Sequence, residues 1–97
     1  MNPNKVKRNN IVKLTDLPNI GKAMEQDLLL LGINKPSDLT EKNPYELYED
    51  LCQKTGIKHD LCVLDVFISI TRFMDGGEPK FWWEFTEERK RHIDDLE

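Results

Sequence analysis

The sharpest chemical signal in the sequence is the run Leu14-Thr15-Asp16-Leu17-Pro18-Asn19-Ile20-Gly21-Lys22-Ala23-Met24. Pro18 stops a short apolar-rich element that begins at Ile11, because proline disfavours helical geometry in the residue before it. An amphipathic helix opens after Gly21. Gly21 removes a Cβ where a backbone approaches an anion, and the helix opening offers unpaired N–H groups and the positive end of its dipole. Lys22 adds a cation. Lys5, Lys7, Arg8, Lys13 and Lys22 stand against the single Asp16 in residues 1–22, five charges minus one or +4, which leaves −8 for the rest of a chain whose total is −4. A general basic coat for nucleic acid is excluded, and any anion is met near the N-terminus.

Two other constellations are weaker. Cys52, His59 and Cys62 form a Cys-x6-His-x2-Cys set around a turn between helices, which Asp60 or His92 could complete. Structural zinc sites use close Cys-x2-Cys or His-x3-His pairs, and the sequence has neither, so the set reads as two small core thiols and an exposed histidine, without metal or cofactor. Both thiols lie on apolar helix faces, where desolvation raises a thiol pKa, and the carboxylates scatter. No catalytic residue is expected and the chain reads as a non-enzyme. Trp82 and Trp83 could stack bases if one ring is exposed beside Lys80 or Arg89. Closure of the core, with one ring buried and one partly exposed, is the preferred reading.

The elements that must hold these residues are helical. No Val/Ile/Thr-rich alternating run appears, while apolar residues recur at helical spacing, so the class is all-α, with five to six helices expected. Ile20, Met24, Leu28 and Leu31 make one helix face that Gly32 ends. Pro36-Ser37-Asp38-Leu39 reads as a short helix, and Asn43-Pro44 with Glu46 as a capped start for a helix ending at Gly56. From Asp60 to Asp75 the chain is apolar nearly all round, with only Asp65, Ser69 and Arg72 as a polar stripe, the mark of a central helix. A short C-terminal helix follows Phe85. Leu17, Ile20, Met24, Leu28, Leu31, Leu39, Leu51, Leu64, Phe67 and Ile68 are expected in one core.

The length of 97 residues and 38% hydrophobic content fit one small domain over residues 11–95. Residues 1–10 read as a flexible basic arm and Leu96-Glu97 as a tag scar. No signal-peptide or membrane-spanning run is visible, and a cytoplasmic protein is expected.

The Leu14–Met24 segment resembles the helix-hairpin-helix motif, whose hairpin is commonly Leu-Pro-Gly-Ile-Gly, with Asn19 here in place of the first glycine. The resemblance implies that backbone amides of Asn19, Gly21 and Ala23 face a phosphate, with Lys22, Lys13 and Arg8 nearby. It also implies that carbonyls of Thr15, Leu17 and Ile20 match those that hold a monovalent cation in some members. From Ile11 to Phe85, the order Leu-Pro-Asn-Ile-Gly, Leu-Leu-Gly-Ile, Pro-Ser-Asp-Leu, Asn-Pro-Tyr-Glu-Leu-Tyr, Asp-Leu-Cys-Val-Leu and Trp-Trp-Glu-Phe resembles the small bacterial pathogenicity-locus family labelled mitomycin resistance proteins. A looser likeness runs to the C-terminal domain of TfoX-type competence regulators. The implied fold is a compact SAM-like domain built on helix-hairpin-helix units. The expected function is weak, sequence-independent binding of duplex or single-stranded DNA through phosphate. The alternative is a protein-interaction module of SAM-like fold.

Overall fold

The computed structural model describes the backbone of residues 1–96 and the side chains of residues 1–93. Four α-helices carry the fold: α1 (Lys22–Leu30), α2 (Pro44–Thr55), α3 (Leu61–Met74) and α4 (Thr86–Leu96). Five 3₁₀ turns, at Pro3–Lys5, Arg8–Asn10, Leu14–Asp16, Pro36–Leu39 and Trp82–Phe85, make the corners, and no strand occurs among the described residues. The all-α class therefore holds, with four α-helices rather than five to six. Of the expected tag scar, Leu96 contributes its backbone to the end of α4, and Glu97 lies outside the described residues.

The lower count has a local cause. Three short elements close as single 3₁₀ turns, and in each an acidic side chain folds back onto the N–H groups that precede the turn. Asp16 accepts from Val12 and Lys13 at 3.0 Å each, Asp38 from Asn34 at 3.0 Å and Lys35 at 3.3 Å, and Glu84 from Phe81 at 2.8 Å. Leu14–Asp16 and Pro36–Leu39 then end in the extended residues Leu17 and Thr40 and grow no further, whereas Trp82–Phe85 runs straight into α4.

The longer helices have conventional ends. Asn43 caps α2 by accepting from Tyr45 at 2.9 Å and Glu46 at 3.4 Å, so its own side chain carries the cap. Asp60 caps α3 through the Cys62 N–H at 3.0 Å. After α3 the chain reverses so tightly that a Cβ on Gly77 would lie 2.8 Å from the Arg72 carbonyl oxygen, a place for glycine alone.

Helix α3 is the centre. Leu64, Phe67, Ile68, Ile70 and Phe73 are buried on it, with Leu17, Ile20, Leu28, Leu39, Leu51 and Phe85 packed around. Met24 and Leu31, expected in the core, are only partly buried and cover its margin. The polar stripe of α3 does not face water as a whole: Asp65 and Ser69 are fully buried, and only Arg72 is exposed. Asp65 takes Arg89 Nε at 3.0 Å, Arg89 Nη2 at 3.3 Å and Thr86 Oγ1 at 2.8 Å, which fastens α4 to α3. Arg72 pairs with Glu88 on the outside of the same seam.

Residues 1–10, expected as a flexible arm, lie against the domain. Pro3 is buried and Val6 packs on the core. Arg8 spans the end of α3, donating from Nη1 to the Phe73 carbonyl at 2.9 Å and from Nη2 to the Gly77 carbonyl, with its guanidinium 4.2 Å from the Phe73 ring centre. The Phe73 carbonyl also accepts the Gly76 N–H at 3.1 Å, so Arg8 adds a second donor there and ties the turn after α3, and its positive charge suits that end of the dipole.

Candidate nucleic-acid interface

The 3₁₀ turn Leu14–Asp16, the bend through Leu17–Gly21 and the start of α1 form one rigid corner. Leu14, Leu17, Pro18 and Ile20 are buried and root it in the core. Asn19 takes the left-handed conformation, φ +68°, which asparagine tolerates better than most residues. Its Nδ2 donates to Ser69 Oγ and to the Lys80 carbonyl, each at 2.9 Å, so the side chain is turned into the domain and leaves the outer side of the bend clear.

Gly21 is the N-cap of α1 and is exposed. Its φ of −103° is open to any residue, and a Cβ built there meets nothing within 4 Å. Space alone does not require glycine at this position, although glycine suits a helix N-cap better than an apolar side chain does. No side chain caps α1, and its first intrahelical bond runs from the Glu25 N–H to the Gly21 carbonyl at 3.0 Å. The amides ahead of it, those of Gly21 and Ala23 included, sit where a helix leaves its donors open. Lys22 and Ala23 are exposed beside them, and Lys13 is exposed just across the bend.

The remaining site residues are engaged within the chain. The Asn19 amide donates to the Met1 carbonyl at 2.7 Å, which removes it from a phosphate. The Met1 α-ammonium donates to the Leu17 carbonyl at 3.1 Å and to the Ile20 carbonyl at 2.7 Å, two of the three carbonyls that the resemblance gives to a cation. Burial lowers the pKa of this amine from its ordinary value, and the charge of Asp16 pulls the other way. Asp16 itself is held below the usual carboxylate range by the N–H groups of Lys13 and Val12. Arg8 is bound to the carbonyls of Phe73 and Gly77 at the C-terminal end of α3. Sequence reasoning missed Met1 and Ser69 as parts of this corner. A terminal amine has no pattern to read, and Ser69 meets Asn19 only across fifty residues of chain.

The cysteine–histidine set is held by other bonds. The His59 N–H donates to Cys52 Sγ at 3.5 Å, His59 Nε2 lies 2.9 Å from Thr55 Oγ1, and Tyr48 Oη donates to the His59 carbonyl. Burial, with Cys52 as neighbour, pushes the Tyr48 hydroxyl up to about 12, and burial with Asp60 raises the Cys62 thiol. Both cysteines and His59 are half-buried, so the thiols are less deep and the histidine less open than expected. Among the described residues no three His, Cys, Asp or Glu side chains converge as a metal site.

At the other aromatic signal, Phe85 is buried, Trp82 packs against the core, and Trp83 is 54% exposed. One tryptophan closes the core and the other does not.

The family model described as Cdd1, pathogenicity locus, matches residues 7–91. The mitomycin resistance protein McrB of Streptomyces lavendulae is 35% identical over 78 residues, 80% of this chain and 74% of that protein. No solved structure matches the chain.

Proposed function

The chain belongs to the Cdd1 pathogenicity-locus family, and on that premise we propose that it is a non-catalytic, cytoplasmic DNA-binding module whose Leu14–Met24 segment works as a helix-hairpin-helix. Gly21, Lys22 and Ala23 hold a backbone phosphate at the head of α1, Lys13 adds charge, and base sequence is not read. The relative's printed name, mitomycin resistance protein, supports mitomycin resistance as the setting in which such a module acts.

Gly21 carries this reading. It is exposed, in unstrained backbone, with open space where a Cβ would stand, which leaves room for a phosphate to reach the open amides at the head of α1. The test is a titration of labelled duplex at low ionic strength with the native chain and Gly21→Val. Weakened binding with unchanged melting supports the reading. Equal binding by both proteins, or none by the native chain, rejects it.

The second reading is a protein-interaction module. It is favoured by Leu29 and Leu30, neighbours on α1 that are 41% and 53% exposed, and by the −8 charge outside residues 1–22.

A further inference from the structure

We propose that Phe81 and Trp83 form a shelf on which a base of single-stranded DNA stacks beside the phosphate-binding bend, an inference that rests on the DNA reading above. The two rings lie parallel, 4.4 Å between centres and 14° between planes, and Trp82 meets Trp83 edge-on at 5.5 Å and 81°. Trp82 and Phe85 are the members of this segment that pack on the core, whereas the Phe81–Trp83 stack stands outside it. An indole that closes a core buries its area. This one is braced by a second ring on one side and exposes more than half of its surface.

The shelf is fixed to the bend. Asn19 Nδ2 and Ser69 Oγ both donate to the Lys80 carbonyl at 2.9 Å, and Glu84 holds the Phe81 N–H at 2.8 Å. Gly21 is two residues from Asn19 and Trp83 three from Lys80, so at ~3.5 Å per residue, with the Asn19–Lys80 bridge and the length of the indole side chain added, the helix opening and the indole are at most about 30 Å apart. That is a reach of a few nucleotides.

Ligand chemistry follows from the neighbours. Lys80 is exposed at the foot of the shelf, with Lys22 and Lys13 at the bend, which suits a polyanion running from one to the other. Of the nearby acids, Glu84 is turned onto the Phe81 N–H and Glu88 pairs with Arg72, while Glu78 and Glu87 stay exposed and limit the polyanion to the side of the shelf that faces the bend. A single strand offers free base faces beside its phosphates, and a duplex hides them. Aromatic stacking of this kind is tolerant of sequence.

The test measures anisotropy of three labelled ligands at low ionic strength: an oligo-dT strand, an abasic strand of equal length, and a duplex. The proteins are the native chain, Trp83→Ala, Trp83→Phe and Lys22→Glu, each checked by circular dichroism and melting. The native chain is expected to prefer oligo-dT over the abasic strand about tenfold or more. Trp83→Ala should abolish that preference while keeping duplex binding, and Trp83→Phe should retain most of it. Lys22→Glu should weaken all three ligands and leave the preference standing. A native preference near unity, or one that survives Trp83→Ala, overturns the shelf while the phosphate reading stands on the response to Lys22→Glu. A Trp83-dependent preference with no response to Lys22→Glu keeps the shelf and overturns the phosphate reading. Absence of binding to every ligand overturns both.

Discussion

The α-ammonium of Met1 donates to the carbonyl of Ile20 across 2.7 Å, so the chain's own terminus fills a place where the resemblance sets a free cation. The contact ties the first residues to the bend that they would otherwise only flank. It also makes the stability of the corner depend on the protonation of one amine.

That dependence has a definite sign. Burial lowers the folded-state pKa of the Met1 amine below its ordinary 8.0, so the unfolded chain takes up the proton more readily than the folded one. The contribution to stability is present above the unfolded pKa and is lost as pH falls through the folded one. Melting temperature should therefore rise as pH climbs toward the amine's ordinary 8.0 and level off above it, with a gradient that acetylation of the Met1 amine removes. An identical gradient in the acetylated protein would assign it to other groups.

The ion pair of Asp65 and Arg89 should be costly to break from one side. Asp65 is fully buried, and Arg89 with Thr86 supplies all the donors that its carboxylate receives. Arg89→Ala leaves a charge in the core and should cost roughly 3 to 5 kcal/mol in urea denaturation at neutral pH. A cost below about 1 kcal/mol would mean that water reaches Asp65 from the α4 side.

How far the sequence spoke depended on whether a signal was local. The cap at Asn43, the stop at Gly56 and the apolar girth of α3 are all written within a few residues, and they appear as read. The burial of Asp65 was not, because its partner lies 24 residues away and an Asp, Ser, Arg spacing on one helix looks the same whether it faces water or another helix. The ties of the first ten residues carry no local signal, because Met1 to Ile20 and Arg8 to Phe73 span 19 and 65 residues. One repeated local signal went unread: Thr15-Asp16-Leu17 and Ser37-Asp38-Leu39 each mark a 3₁₀ turn closed by the aspartate.

Asn19 combines a backbone role with a side-chain role, and two substitutions separate them. Asn19→Gly keeps the +68° φ without strain but loses the bonds to Ser69 and Lys80, while Asn19→Ala loses the same bonds and must also hold a Cβ in left-handed geometry. Each should be destabilised, and Asn19→Ala should be worse by about 1 kcal/mol in chemical denaturation. Equal stability of the two variants would show that the bend relaxes out of the left-handed region when the asparagine is lost.

Arg8 and Lys22 carry the same charge and should fail in opposite ways. Arg8 is committed to the Phe73 and Gly77 carbonyls and to the Phe73 ring, whereas Lys22 is exposed at the head of α1. With Arg8 committed, Lys5, Lys7, Lys13 and Lys22 are the exposed cations of residues 1–22, enough to neutralise only a few phosphates. Counterion release then gives a slope of log affinity against log salt of about −2 to −4 on duplex DNA, with micromolar or weaker affinity at physiological salt. Lys22→Glu should weaken binding and flatten the slope by about one to two while melting stays where it was. Arg8→Ala should lower stability by about 1 to 3 kcal/mol through the lost charge-assisted bonds, with the slope unchanged. The deciding measurement is a duplex titration at several salt concentrations for the native chain and both variants, beside their denaturation curves. A slope that flattens with Arg8→Ala and not with Lys22→Glu would move the anion contact from the head of α1 to the C-terminal end of α3.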